Sequence, residues 1–414
     1  MKKINSANKL KIINDPIYGF ISIPSEIIYD LIEHPYFQRL RRIRQLGLTH
    51  LVYPGALHTR FHHAIGAMHL MSEAVESIRS KGTEINTAEE EAVIIAILLH
   101  DIGHGPYSHA LEHSIVSGIN HEDLSVLFMN RLNIEFKGKL DLAIKIFKNE
   151  YRKKFLHQLV SSQMDMDRLD YLKRDSFYTG VSEGVISSER IIKMLNVKDD
   201  TLVVENKGIY SVEKFIIARR LMYWQVYLHK TVLSAENMLV NILKRARELA
   251  RGGDKSLFCT PAFHTFLYQS FKINDFENNT TILENFAQID DYDIMASIKA
   301  WQLHKDNILS GLCNAMVNRQ LYHIELQNQP FKEDTIKNLQ ERANKKYKLK
   351  GKEASYFVFS GQVKNEIYRA DKVRINILYK DGTIKDISEA SDQLNLDVLA
   401  KTVKKYFLCY PKRL

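Results

Sequence analysis

Hydrophobic and polar positions alternate along this chain with two periods, and the helical one dominates. From Ala88 to Leu99 the sequence turns almost wholly apolar, which predicts a buried helix. Thr87, with Glu90 three residues on, supplies a capping box for it. Helical spacing also predicts helices over Glu26–Ile32, Tyr36–Leu46 (stopped by Gly47) and Ala64–Ser80. It predicts another starting near Asn120-His121, one within Phe155–Asp175, and a long one over Glu213–Ala250, ended by Gly252-Gly253. Ser256–Glu325 reads as mostly helical. Extended patterns are short. Lys11–Ile23 is expected as two short strands about Gly19, since Pro16 biases Asp15 away from helix. Leu51–Leu57 is a short strand or loop. Thr201–Val212 is expected as a hairpin turning at Asn206-Lys207-Gly208. Residues 326–352 are polar and charged, which predicts a linker or loop. Beyond them, Tyr356–Phe359 and Val373–Tyr379 are expected as strands, Asp381-Gly382 as a tight turn, and Leu396–Tyr406 as a closing helix. The chain is thus expected to be mainly α with small β-hairpins. Residues 1–325 would form the core and 353–414 a small C-terminal α+β domain.

Composition narrows the class. Forty-five per cent of the 414 residues are hydrophobic, ample for a sizeable core. The formal net charge is +9 and the pI about 9.1, which favours polyanionic ligands such as nucleotides or nucleic acid. The three cysteines, Cys259, Cys313 and Cys409, are far apart and form no metal motif or disulfide framework. With no apolar run of membrane-spanning length and no apolar leader behind Met1-Lys2-Lys3, a reduced, cytoplasmic chain is expected. No Gly-rich Walker loop is present.

The chemistry concentrates in His100–His113, which holds four histidines and two carboxylates. A buried helix ending in His100-Asp101 brings two costly polar groups to the core, and a metal ion is one of few partners that satisfies both. His58-Thr59-Arg60-Phe61-His62-His63 offers one more ligand. On a helix, Asp167, Asp170 and Tyr171 share a face, and the neighbouring Met164, Met166 and Leu169 imply that at least one acid points inward. His63, His100, Asp101 and Asp167 together suit a divalent ion such as Mn, Fe, Ni, Zn or Mg. Histidines 104, 109 and 121 can donate to phosphate or carry protons, and Arg60, Arg168, Arg219 and Lys230 can neutralise phosphate charge.

His63, His100-Asp101 and Asp167 in that order resemble the HD-domain metal-dependent phosphohydrolases. The likeness extends through Asn14–Gly19, Phe37–Arg41, Gln45–Gly47, Tyr53–Ala56, Arg60-Phe61, His100–His109 and Asp167–Tyr171. These look like the deoxynucleoside-triphosphate triphosphohydrolases of the SAM-and-HD-domain type, over roughly residues 10–325 and without the SAM domain. The resemblance implies an HD-domain helical fold in which His63, His100, Asp101 and Asp167 hold the metal. Arg60, His109, Arg168, Arg219 and Lys230 would grip the triphosphate. Gln45, Leu46, Tyr171, Asp175 and Tyr227, with His229 nearby, would surround the deoxyribose. His104, His109 and His121 would be catalytic, with Glu112 where relatives carry Asp. The implied reaction releases deoxynucleoside and intact triphosphate from a dNTP. Lys11, Glu33, Gln38, Arg41, Arg190 and Arg319 match an allosteric GTP or dGTP site lying between subunits, which implies a homo-oligomer, a dimer or a tetramer. Glu33 stands for the family's Asp there, and His323 for a Lys, which removes one fixed positive charge.

Two other functions fit parts of the sequence. The same metal site can serve another nucleotide or single-stranded nucleic acid. The charge of +9, the lysines from Lys345 and the Lys412-Arg413 tail would also suit a nucleic-acid-binding protein with a vestigial site. No membrane partner is expected.

Overall fold

The computed structural model describes residues 11–107, 116, 118–365, 374–392 and 403–414. The chain opens with an antiparallel hairpin, β1 (Ile12–Asp15) and β2 (Gly19–Ser22), followed by α1 (Glu26–Glu33). The helix expected over Tyr36–Leu46 does not form. Pro35–Gln38 makes one helical turn and Arg39–Arg42 tightens to 3₁₀. Then Ile43–Gln45 runs extended beside His58–Arg60, with Gln45 N donating to His58 O (3.0 Å) and Arg60 N to Ile43 O (2.9 Å). A long-range contact overrides the local propensity. Arg39 is fully buried and donates to the carbonyls of Ile289 and Ile102, which pulls this stretch onto the core.

Helix α2 (Arg60–Ser80) begins four residues before the expected start, because His62 Nδ1 accepts the Thr59 N–H (3.2 Å). Arg60 and His63 therefore stand on its first turn. In α3 (Thr87–Leu99) the capping pair is Asn86 and Glu89, each side chain taking the other's backbone N–H. That is one residue earlier than expected, because Asn caps better than Thr. Residues 92–99 of α3 are all buried. Helix α2 packs against α3 and against α5 (Met166–Thr179), while α4 (His121–Glu135) starts close to the C-terminal end of α3.

The expected hairpin exists but shifts. Strands β3 (Leu195–Lys198) and β4 (Thr201–Glu205) pair across Asp199-Asp200, both at positive φ (50° and 57°), as a primed two-residue turn requires. Asn206–Gly208 instead leads into α6 (Ile209–Met222). The long helix expected to Ala250 is interrupted by a wide π-helical segment, Tyr223–Tyr227, before α7 (Lys230–Arg251). Helix α8 spans Asp291–Trp301.

The stretch expected as a linker carries α9 (Glu333–Tyr347), whose Leu339 and Ala343 are buried with Ala354, Val358 and Leu408. Strand β6 (Phe359–Asn365) follows the 3₁₀ turn Gly351–Tyr356, so the strand expected from Tyr356 starts later. Strand β9 (Val403–Tyr410) lies between β5 (His323–Gln327) and β6 in an antiparallel sheet. The helix expected over Leu396–Tyr406 is contradicted at Val403–Tyr406, and its earlier part lies outside the described residues. Strand β7 (Asn376–Leu378) pairs parallel with β4, and antiparallel with β8 (Ile384–Asp386). Ile375 and Ile377 join the same core cluster as α2 and α3. The fold is mainly helical, with small sheets, as the sequence implies.

Candidate metal centre and substrate cavity

The first turn of α2, the end of α3 and the first turn of α5 meet at one point. His63 Nε2 lies 3.3 Å from His100 Nε2, 3.0 Å from Asp167 Oδ1 and 3.7 Å from Asp101 Oδ2. His100 Nε2 is 3.3 Å from Asp101 Oδ1 and 3.6 Å from Asp167 Oδ1. The other nitrogen of each ring is already engaged. Asp170 Oδ2 takes His63 Nδ1–H at 2.7 Å, and the Ile97 carbonyl takes His100 Nδ1–H at 2.6 Å. That hydrogen-bond pattern assigns both Nε2 atoms as bare acceptors when the rings are neutral. Two imidazole lone pairs and two carboxylates then face one another in a buried space, an arrangement that repels itself unless a cation sits within it. The donor set fits a divalent ion.

The electrostatics agree. Burial opposes charge on His63, yet hydrogen bonds to Asp167 and Asp170 push its pKa up to about 10. Burial likewise works against Asp101 and Asp167. Arg60 first, for Asp101, and His100 and His63, for Asp167, hold both carboxyls far below the usual range. The site demands positive charge, which a metal supplies.

A second layer of buried side chains orients these ligands. Arg174 donates to both oxygens of Asp170 (2.9 Å each) and to Asp15 (2.8 Å), all with side chains 2% exposed or less. Asp15 Oδ1 accepts the backbone N–H groups of Ile17 and Tyr18, anchoring this row in the β1–β2 turn. Gly66, one turn after His63, is what admits it. A Cβ there would overlap both Arg174 Nη2 and Asp170 Oδ1.

The metal cluster opens into a cavity of ≈ 460 Å³, within the range of small-molecule sites. Among the residues expected there, Gln45, Leu46, Arg60, Asp101, His104, His121, Asp167, Arg168, Tyr171, Asp175, Arg219 and Tyr227 all line it. His104 lies 3.4 Å from Asp101, and its ring stacks on His121 at 3.9 Å. Burial and the Arg60 charge hold its pKa well below the usual imidazole range, so His104 is neutral. Arg60 pairs with Asp101, Arg168 with Asp165, and Arg219 donates to Gln163 (2.8 Å). Asp175 accepts from Tyr227 Oη and His58 Nε2, both at 2.8 Å, and Tyr171 packs edge-on to Tyr227.

Two of the expected substrate residues stand apart from the cavity, and others lie elsewhere. His229 and Lys230 do not line the cavity: His229 caps α7 by accepting the Thr231 N–H, and Lys230 is exposed. His109 and Glu112 lie outside the described residues. The expected allosteric residues are surface groups in this single chain. Lys11 covers the Tyr29 ring, Arg41 donates to Gln38 (2.8 Å), Arg190 to Lys207 O and Arg319 to Leu51 O, while Glu33 is exposed. Sequence reasoning gave no role to Asp170, Arg174 and Asp15, or to Tyr107, Tyr223, Leu233 and Glu236 in the lining. Gly66 could have signalled Asp170 and Arg174, as a glycine inside a helix with no turn to make.

Comparison with known proteins agrees with this geometry. Residues 60–175 match the HD domain model and residues 186–258 the HD associated region. The chain is 33% identical over 98% of its length to the uncharacterized protein YwfO of Bacillus subtilis, covering 93% of that protein. It is 33% identical over 61% of its length to the deoxynucleoside triphosphate triphosphohydrolase SAMHD1 homolog of Dictyostelium discoideum, covering 52% of that protein. A phosphohydrolase crystal structure from Bacteroides thetaiotaomicron superposes with a TM-score of 0.93 at 55% identity, covering 97% of this chain and 99% of that one. The first turn of α2 carries His63, α3 delivers His100-Asp101 and α5 delivers Asp167: this chain belongs to the HD-domain phosphohydrolase family.

Proposed function

We propose that this protein is a metal-dependent hydrolase of deoxynucleoside triphosphates, releasing deoxynucleoside and inorganic triphosphate. The observation that carries it is a single cavity in which the metal acids, three arginines and the Tyr171–Tyr227–Asp175 group line one space. His63, His100, Asp101 and Asp167 would hold the ion, which when bound supplies Lewis acidity for attack of water at phosphorus. Arg60, Arg168 and Arg219 place positive charge along the cavity for the phosphates. The stacked His104, neutral at rest, can pass a proton to the departing 5′-oxygen only by taking one up at its other ring nitrogen, a relay in which His121 beside it can serve. Tyr227 and His58, by fixing both oxygens of Asp175, stiffen the wall expected against the sugar, where a rigid surface excludes a 2′-hydroxyl. A guanine-nucleotide site shared between subunits and a cytoplasmic homo-oligomer belong to the same proposal. The surface exposure of Lys11, Glu33, Arg41, Arg190 and Arg319 supports a site at a subunit contact. Among the described residues no helix is long and apolar enough to cross a membrane.

The test is product analysis with each of the four dNTPs and Mn or Mg, with and without GTP, alongside His100→Ala and Asp101→Ala. Deoxynucleoside and triphosphate should form with the unsubstituted protein and with neither variant. Diphosphate with dNMP, or no turnover by protein shown to hold metal, would refute the reading.

A further inference from the structure

The cavity lining includes one carboxylate with no assigned task, Glu236. Leu233 and Glu236, one turn apart on α7, line the cavity together with Leu228, Tyr107 and Gly47. A Cβ built on Gly47 would lie 4.0 Å from Glu236 Oε1 and 3.4 Å from the Tyr107 carbonyl oxygen. Glu236 therefore stands beside Gly47, the residue that follows Gln45-Leu46, the pair the resemblance assigns to the sugar. Among the described residues no cation or hydrogen-bond donor meets its side chain, and burial alone pushes its carboxyl up to about 7. An unmet carboxylate in the cavity wall costs free energy, and a ligand with matching donors relieves it. The metal, arginines and histidines account for the phosphates, and the tyrosines and Asp175 for the sugar. Nothing yet described reads the base.

We propose that Glu236 is the specificity-determining residue for the nucleobase, and that it selects guanine. This rests on the dNTP reading above. Guanine alone among the four bases presents two adjacent N–H donors, N1–H and N2–H, and these match the two oxygens of one carboxylate. Thymine offers a single N–H flanked by carbonyls, which the carboxylate repels. Adenine and cytosine each set one amino donor beside an acceptor. Leu228 and Leu233 supply apolar surface for the ring.

The test is the affinity ratio of slowly hydrolysed α-thio dGTP to α-thio dTTP, by titration calorimetry with metal-loaded protein and its Glu236→Gln variant. The variant is nearly isosteric and removes an unpartnered charge, so folding is not at risk. A hydrogen bond to a charged group is worth roughly tenfold to hundredfold in affinity. The ratio should favour dGTP by about tenfold or more in the unsubstituted protein and collapse towards parity in Glu236→Gln. A ratio near one in the unsubstituted protein, or the same preference in both proteins, overturns the proposal. The expected ratios without hydrolysis of any dNTP would leave the base reader standing and refute the hydrolase reading. Failure of both nucleotides to bind would remove both.

Discussion

Replacing Asp170 by Asn tests whether the buried row behind the metal ligands does more than fill space. Asp170 touches no substrate. It fixes the His63 ring through Nδ1 and is itself clamped by Arg174. Burial would raise its pKa, but the Arg174 charge and the His63 and Arg174 hydrogen bonds pull it from 3.8 down to about 2. Each pH unit of such a shift is about 1.4 kcal/mol, so the ionised form contributes roughly 2 kcal/mol of stability. The sign follows from the depressed value. The contribution is complete above the unfolded-state pKa of about 4 and fades as pH falls towards 2. Asn keeps an oxygen for His63 Nδ1–H but loses the charge, so at pH 7 Asp170→Asn should be less stable by about 2 kcal/mol in urea unfolding. That difference should narrow below about pH 4. Loss of a partner behind a ligand typically weakens metal binding by about 10- to 100-fold, readable by competition with a fluorescent chelator. A variant with unaltered stability at pH 7 and unaltered metal affinity would refute this role for the row.

Two further outcomes follow from the same geometry. Gly66→Ala should lose about 3 kcal/mol or more, because the new Cβ displaces a buried ion pair, and its metal stoichiometry should fall; a wild-type melting temperature would contradict the close approach seen here. Stripping divalent ions with EDTA should lower the melting temperature, since an ion at about one hundred times its Kd stabilises by roughly 2.7 kcal/mol; a melting curve indifferent to both EDTA and added Mn would contradict the metal centre.

Much of the site was legible because its residues are chemically unusual where they stand. His100-Asp101 ends an apolar helix, and Asp167 follows helical spacing within its own segment, so both could be placed without tertiary information. His63 was identifiable only as one of several histidines, because the capping contact between Thr59 and His62 that starts α2 early is a local geometric fact. The extended run Ile43–Gln45 was misread because its helical propensity is overruled by pairing with His58–Arg60. The β3–β4 turn was misplaced because Asp199-Asp200 accepts positive φ without a glycine. In 326–352, α9 was hidden by charge: Leu339 and Ala343 are its only buried residues. Glu236 is one acid on a long amphipathic helix, and only the cavity distinguishes it. Asp170 and Arg174 sit at helical spacing on α5, but their partner Asp15 is 159 residues from Arg174, a separation no local pattern reveals.

The measurement that bears most directly on the central claim is phosphorus NMR of dGTP turnover in ¹⁸O-enriched water with metal-loaded protein. The account predicts inorganic triphosphate carrying one ¹⁸O on a terminal phosphorus, together with unlabelled deoxyguanosine. Labelled dGMP with diphosphate, or dGDP with labelled phosphate, would contradict it.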